Sequence, residues 1–211
     1  YRRQRQMCIR DSILTDFFTT GTYDARREFY KTNAPAMDIL VSSNLERLVW
    51  FMVNGDSEKV NKYMEELKET GVYKVDDETL ARVQKEFKAG CLGEEDVLKV
   101  VHDCWNENKY LLDTHTAVGY GVYEEYVKNT GDTTKTILLS TASPYKFPES
   151  VYQALTGEEV DVYTAIEKLH DLTGMEISYP LKGIKDREIL HKGVIDRDAI
   201  LDTIAEKIKE Y

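Results

Sequence analysis

The sequence predicts an α/β protein, rich in helix and thin in sheet. Segments with apolar residues three and four positions apart recur along the chain, and between them lie compact apolar runs ending on small hydroxyl residues. The two kinds of segment alternate, which favours helices layered on a mostly parallel sheet.

Among the helices, residues 57–71 (SEKVNKYMEELKETG) place Val60, Tyr63, Met64 and Leu67 on one face, with Gly71 as the stop. Residues 76–90 (DDETLARVQKEFKAG) repeat the design with Leu80, Val83 and Phe87, and Gly90 is the expected stop. Residues 93–108 (GEEDVLKVVHDCWNEN) carry a stripe of Val97, Leu98, Val101 and Trp105, with acids in the first turn. Their close spacing predicts three consecutive helices packed on one another. Further helices are expected over 115–129, 161–174 and 196–211. The last begins at an Asp196 cap and aligns Ile200, Ile204 and Ile208. The strand candidates are 37–41 (MDILV), 136–140 (TILLS) and, more weakly, 110–113 (YLLD). Three strands are few for 211 residues, so the sheet is expected to be incomplete.

Hydrophobic residues make up 42% and charged residues 31%, the balance of an ordinary globular chain. A net charge of −10 opposes electrostatic binding to nucleic acid or to an anionic membrane. No apolar run approaches the roughly 18 to 20 residues of a membrane span. The three cysteines, Cys8, Cys91 and Cys104, form no CxxC pair, which fits a reducing, cytoplasmic setting. Residues 1–12 (YRRQRQMCIRDS) differ from the rest in holding four arginines against one acid. They are read as an artefactual segment, and 13–211 as the chain proper.

One local pattern occurs three times: a short strand, then hydroxyl residues, then a helix. Val41 leads to Ser42, Ser43 and Asn44, with Glu46 completing a Ser-x-x-Glu capping box. Leu112 leads through Asp113 and Thr114 to His115 and Thr116. Leu139 leads to Ser140 and Thr141. Ligands of open α/β sheets gather beyond the carboxyl ends of strands, beside helix N-termini. Plain helix capping explains each instance equally well, and the residues alone leave both readings open.

Other chemistry finds less support. His102 and Cys104 lack a second ligand pair, and His170 and His191 read as surface or packing residues. A Ser140–His115–Asp113 triad has no G-x-S-x-G elbow. The Gly-Tyr-Gly at 119–121 lacks the third glycine of a phosphate loop, so its glycines are expected to serve close helix packing.

Three blocks resemble threonine synthases: LTDFFTTGTYDARREFYKTNAPAMDILVSSNLERL (14–48), LLDTHTAVGYGVYEEY (111–126) and STASPYKFPESV (140–151). They stand in that family's order and correspond to the C-terminal portion of its longer bacterial and fungal form. The resemblance implies a fold-type II pyridoxal phosphate (PLP) architecture, tryptophan synthase beta-like, with a helical insertion at about 56–108. It implies conversion of O-phospho-L-homoserine and water to L-threonine and phosphate. Thr141 would be the hydroxyl donor to the pyridine nitrogen, with Ser140 beside it on the strand edge. Ser42, Asn44, Arg47 and His115 are site-lining candidates.

The family's Schiff-base lysine and glycine-rich phosphate loop are expected upstream of Ile13, and Lys146 does not occupy the lysine's motif position. The 211 residues alone are therefore expected to be inactive and to expose an apolar sheet edge. Thr114 departs from the family's proline. The alternative is a non-catalytic homologue that binds a PLP-like or phosphorylated ligand.

Overall fold

The computed structural model describes residues 13–140, 142–190 and 192–209. The basic segment 1–12, Thr141 and His191 lie outside the described residues. The chain divides into two units, one running to Ile177 and one from Ser178.

In the first unit, α1 (Ile13–Thr20) buries Ile13, Leu14, Phe17 and Phe18. Gly21, at a φ of 75°, turns the chain into β1 (Thr22–Asp24). Helices α2 (Ser43–Met52) and α3 (Ser57–Thr70) follow, and then β2 (Val72–Lys74). The two strands pair antiparallel, with Tyr23 opposite Tyr73. These tyrosines stack at 5.3 Å between ring centroids, and Tyr63 stacks on Tyr73 at 5.6 Å. Phe17 packs against both strands' tyrosines, and Phe18 against Phe87. Each such pair contributes about 0.5–1.5 kcal/mol beyond the area it buries. An aromatic cluster thus forms the centre of the first core.

Asp56 caps α3 by accepting the Lys59 N–H at 2.9 Å, and Gly71 ends it in the left-handed conformation the sequence implied. Asp76 caps α4 (Asp77–Glu86) through the Thr79 N–H in the same way. This helix stops short of the predicted Gly90. Phe87 is already extended, which swings its ring onto Phe18. Gly90 has a different role: a Cβ there would lie 2.7 Å from Val122 Cγ1.

The second group comprises α5 (Glu94–Asn108), α6 (Thr114–Thr130), α7 (Pro148–Thr156) and α8 (Val162–Thr173). The expected stack of three consecutive helices is not what forms. The main partners of α3 are α2 and β2, those of α4 are α1 and α2, and those of α5 are α6 and α7. The close-packing role predicted for the Gly-Tyr-Gly glycines holds at Gly121. A Cβ there would meet Leu92 Cδ1 at 2.5 Å and Val100 Cγ2 at 2.9 Å. Gly121→Ala is therefore expected to cost about 1–3 kcal/mol through overpacking. A urea midpoint equal to the parent's would refute that.

None of the three strand candidates carries a ladder. Residues 37–41 begin on the last residue of a 3-10 turn (Pro35–Met37) and are irregular beyond it, and 110–113 run without ladder partners into the start of α6. Along 136–140, Ile137 is 85% exposed and Leu139 76%. Strand formation needs a partner backbone as well as an apolar pattern. Among the described residues the sheet is the β1–β2 ribbon.

The second unit holds 3-10 turns at Tyr179–Leu181, Ile184–Asp186 and Arg197–Ala199, and then α9 (Ile200–Lys209). Asp196 occupies the expected cap position, although its side chain makes no capping bond. Among the described residues no helix is long and apolar enough to cross a membrane.

Candidate functional site

The buried pair Leu111 and Leu112 draws Asp113 into the interior, where it is fully buried at the N-cap of α6. Its Oδ1 accepts the His115 N–H at 2.9 Å and the Thr116 N–H at 3.3 Å, and its Oδ2 accepts the Thr116 hydroxyl. Burial opposes ionisation of Asp113. The hydrogen bonds from the His115 and Thr116 side chains and from the two amides outweigh it and hold the carboxyl below its ordinary range.

His115, also buried, accepts the Ala36 N–H on Nε2 at 2.9 Å. A ring nitrogen that accepts carries no proton, so the imidazole proton lies on Nδ1. That nitrogen is 3.3 Å from Asp113 Oδ1 and 3.5 Å from Thr114 Oγ1. The ring also rests on Phe147, with centroids 4.4 Å apart.

The Thr116 hydroxyl has a single proton, which it gives to Asp113. Ser140 Oγ lies 3.5 Å from Thr116 Oγ1, at the outer limit of a hydrogen bond. Further on, Ser143 Oγ accepts the Tyr145 N–H at 3.3 Å at the start of a 3-10 turn (Pro144–Lys146), and buried Tyr145 donates its hydroxyl to the Met175 carbonyl at 2.7 Å. Lys146 points outward, its ammonium 5.5 Å from the Phe147 ring centroid. Among the described residues no three His, Cys, Asp or Glu side chains gather as metal ligands.

Of the residues singled out from the sequence, His115 and Ser140 meet in one network through Asp113 and Thr116. Ser42, Asn44 and Arg47 are placed differently. The Ser42 N–H donates to the Tyr23 hydroxyl at 2.8 Å, and that hydroxyl donates to the Leu40 carbonyl at 3.0 Å. The predicted capping box does not form. Helix α2 starts with Ser42 as N-cap, one residue earlier than the box requires, so Glu46 is a turn position too late to reach back. Asn44 is exposed. Arg47 lines a groove of about 340 Å³ with Glu46, Trp50, Phe51 and Val60. Among the described residues no hydrogen bond joins Asn44 or Arg47 to the Asp113 network.

Sequence reading missed Ala36 and Phe147. A backbone amide leaves no trace in a sequence, and Phe147 stood only as a member of the 140–151 block, with no role of its own. The Asp113-x-x-Thr116 spacing was the available signal, because an N-cap acid and a hydroxyl three residues on can bond reciprocally.

The family model "Threonine synthase, C-terminal" matches residues 116–182, beginning within the first turn of α6. Threonine synthase of Saccharomyces cerevisiae is 36% identical over 161 residues, covering 70% of this chain and 31% of that protein. Human threonine synthase-like 1 is 32% identical over 171 residues, covering 75% of this chain and 23% of its own length. The chain thus spans a third or less of these two relatives. The crystal structure of yeast threonine synthase superposes with a TM-score of 0.77 at 29% identity, over 94% of this chain and 40% of that one. A PLP-bound threonine synthase from Brucella melitensis gives 0.65 at 29% identity, over 87% of this chain and 39% of that one.

The class these matches define is that of the fold-type II PLP enzymes, of which the chain holds a helix-rich portion. Within it, the chain corresponds to the C-terminal portion of threonine synthase.

Proposed function

We propose that this chain is the C-terminal portion of a PLP-dependent threonine synthase, a lyase converting O-phospho-L-homoserine and water to L-threonine and phosphate. The observation that carries the reading is the superposition on yeast threonine synthase over 94% of the chain. The same reading makes the enzyme cytoplasmic and its substrate a small phosphorylated amino acid, and takes residues 56–108 as a helical insertion.

The donor chemistry fits the cofactor. Asp113, the carboxylate of the network, is fully buried and taken up by His115 and Thr116. A pyridine nitrogen at the 140–141 edge would then meet a neutral hydroxyl, for which Thr141 is the donor in this reading, and not a carboxylate. Bound PLP would supply an electron sink for chemistry at the substrate's carbons. The contact of Ser140 with Thr116 at 3.5 Å ties this edge to the first turn of α6.

The test is to recover the coding sequence upstream of Ile13, express the full-length protein and assay phosphate release from O-phosphohomoserine. Turnover that falls in Thr141→Val supports the reading. A full-length protein that binds PLP and releases no phosphate would favour the second reading, a binding homologue without turnover, which the match to threonine synthase-like 1 brings forward.

The exposed apolar residues of two strand candidates allow a further expectation. With Val41, Ile137 and Leu139 all exposed, the 211-residue chain should self-associate as concentration rises. Ile137→Lys with Leu139→Lys should suppress the rise in light scattering, and equal scattering from both proteins would exclude these two residues as the cause.

A further inference from the structure

His115 has the geometry of a fastener and leaves no nitrogen for proton transfer. Nε2 is occupied by the Ala36 N–H, Nδ1 faces Asp113, and the side chain is 5% exposed. The Ala36 bond needs Nε2 as an acceptor, so this contact keeps that nitrogen from taking a proton to or from a substrate. The contacts join three stretches of chain: the 3-10 turn at Pro35–Met37, the first turn of α6 and the segment after residue 140.

The last of these is held at both ends by consecutive residues of α6. Thr116 holds Ser140 through the hydroxyl contact at 3.5 Å, and His115 holds Phe147 through ring packing at 4.4 Å. Both depend on one buried carboxylate, Asp113, which takes the Thr116 proton and faces the His115 ring. Helix α6 packs on α5, closely enough that a Cβ at Gly121 would meet Leu92 and Val100, so the staple stands on a base held by other contacts.

We propose that His115 is a positioning residue: with Thr116 it forms a two-point staple from the first turn of α6 that sets the placement of the 140–147 segment, whose hydroxyls would edge the cofactor. The functional consequence rests on the PLP reading above, whereas the staple itself does not.

The full-length protein, with and without PLP, is compared by hydrogen exchange with its His115→Ala, His115→Gln and Phe147→Leu variants. In H115A, exchange should rise at least tenfold at the Ala36 amide and across 140–147, while α3 exchanges as in the parent. H115Q offers an amide oxygen to Ala36 and should restore protection there. F147L keeps both nitrogen contacts and should loosen 140–147 alone. If H115A does not fold, F147L decides, because unchanged exchange over 140–147 in that variant overturns the staple. Unchanged exchange at Ala36 in a folded H115A overturns it as well.

The same proteins are titrated with PLP by fluorescence, and weakening of at least tenfold is expected in H115A, with partial recovery in H115Q. Equal PLP affinity in the parent and T141V would remove the cofactor reading. The exchange result without PLP would still decide the staple.

Discussion

Asp113→Ala is expected to lower the unfolding free energy by about 2–5 kcal/mol, from the lost N-cap together with the lost hydrogen bonds to a charged group. The substitution removes the N-cap of α6 and takes from the His115 Nδ1–H and the Thr116 hydroxyl their carboxylate acceptor, leaving only contacts at 3.5 Å to Thr114 and Ser140. Water cannot readily replace the carboxylate, because Asp113 and Thr114 are both fully buried. Asp113→Asn should cost less. Its carbonyl can still cap the helix, while its NH2 group is set against the Thr116 proton.

The pH dependence follows from the same bonds. The folded-state pKa of Asp113 is depressed, by hydrogen bonds that overcome its burial. Its contribution is therefore present above the unfolded carboxylate value of about 3.9 and is lost as pH falls through the folded value. Urea midpoints across the acid range should fall more steeply for the parent than for D113N. Parallel curves would mean that Asp113 is not ionised in the folded protein.

Most helices were legible in the sequence because their signals are local, whereas α1 was not read as one. Asp161 and Gly174 bracket α8, and Gly71 closes α3, each through a bond within one turn. The β1–β2 ribbon was not legible, since three residues are too few to show a period and their partners lie about fifty residues apart. Conversely, the TILLS run reads as a strand from its composition and stands unpaired here. Pairing is a property of two segments, and a sequence pattern describes one. The candidate site divides along the same line. His115 and Ser140 were found through the motif blocks, and the bond that gives His115 its role comes from an amide 79 positions away. Ser43 and Glu46 satisfied the spacing of a capping box, but the helix takes Ser42 as its N-cap, and that one-residue shift cancelled it.

Tyr23 links the first core to the loop that carries the site candidates, and it should be the next most sensitive position. Its ring stacks on Tyr73 and meets Phe17 edge-on, with 1% of the residue exposed. Tyr23→Ala is expected to cost about 3–5 kcal/mol, as for other large aromatic truncations in a core. Tyr23→Phe keeps the stack and removes only the hydroxyl that bridges Leu40 and Ser42. Leaving that carbonyl and that amide without their shared partner should cost about 1–3 kcal/mol. The two variants therefore separate core packing from loop anchoring. In Y23F, amide exchange should rise at Ser42 while α1 and α4 keep the parent's protection, because their contacts involve the ring and not the oxygen. Equal losses throughout the first core would show that the hydroxyl supports the whole cluster, and the loop would then have no separate anchor. A local loss would instead make the Tyr23 oxygen the point where the aromatic core fixes the backbone leading from Pro35–Met37 into α2. The Ala36 end of that stretch is held by His115 and the Ser42 end by Tyr23, so a loosened Ser42 with an unchanged Ala36 would establish that the two anchors act independently.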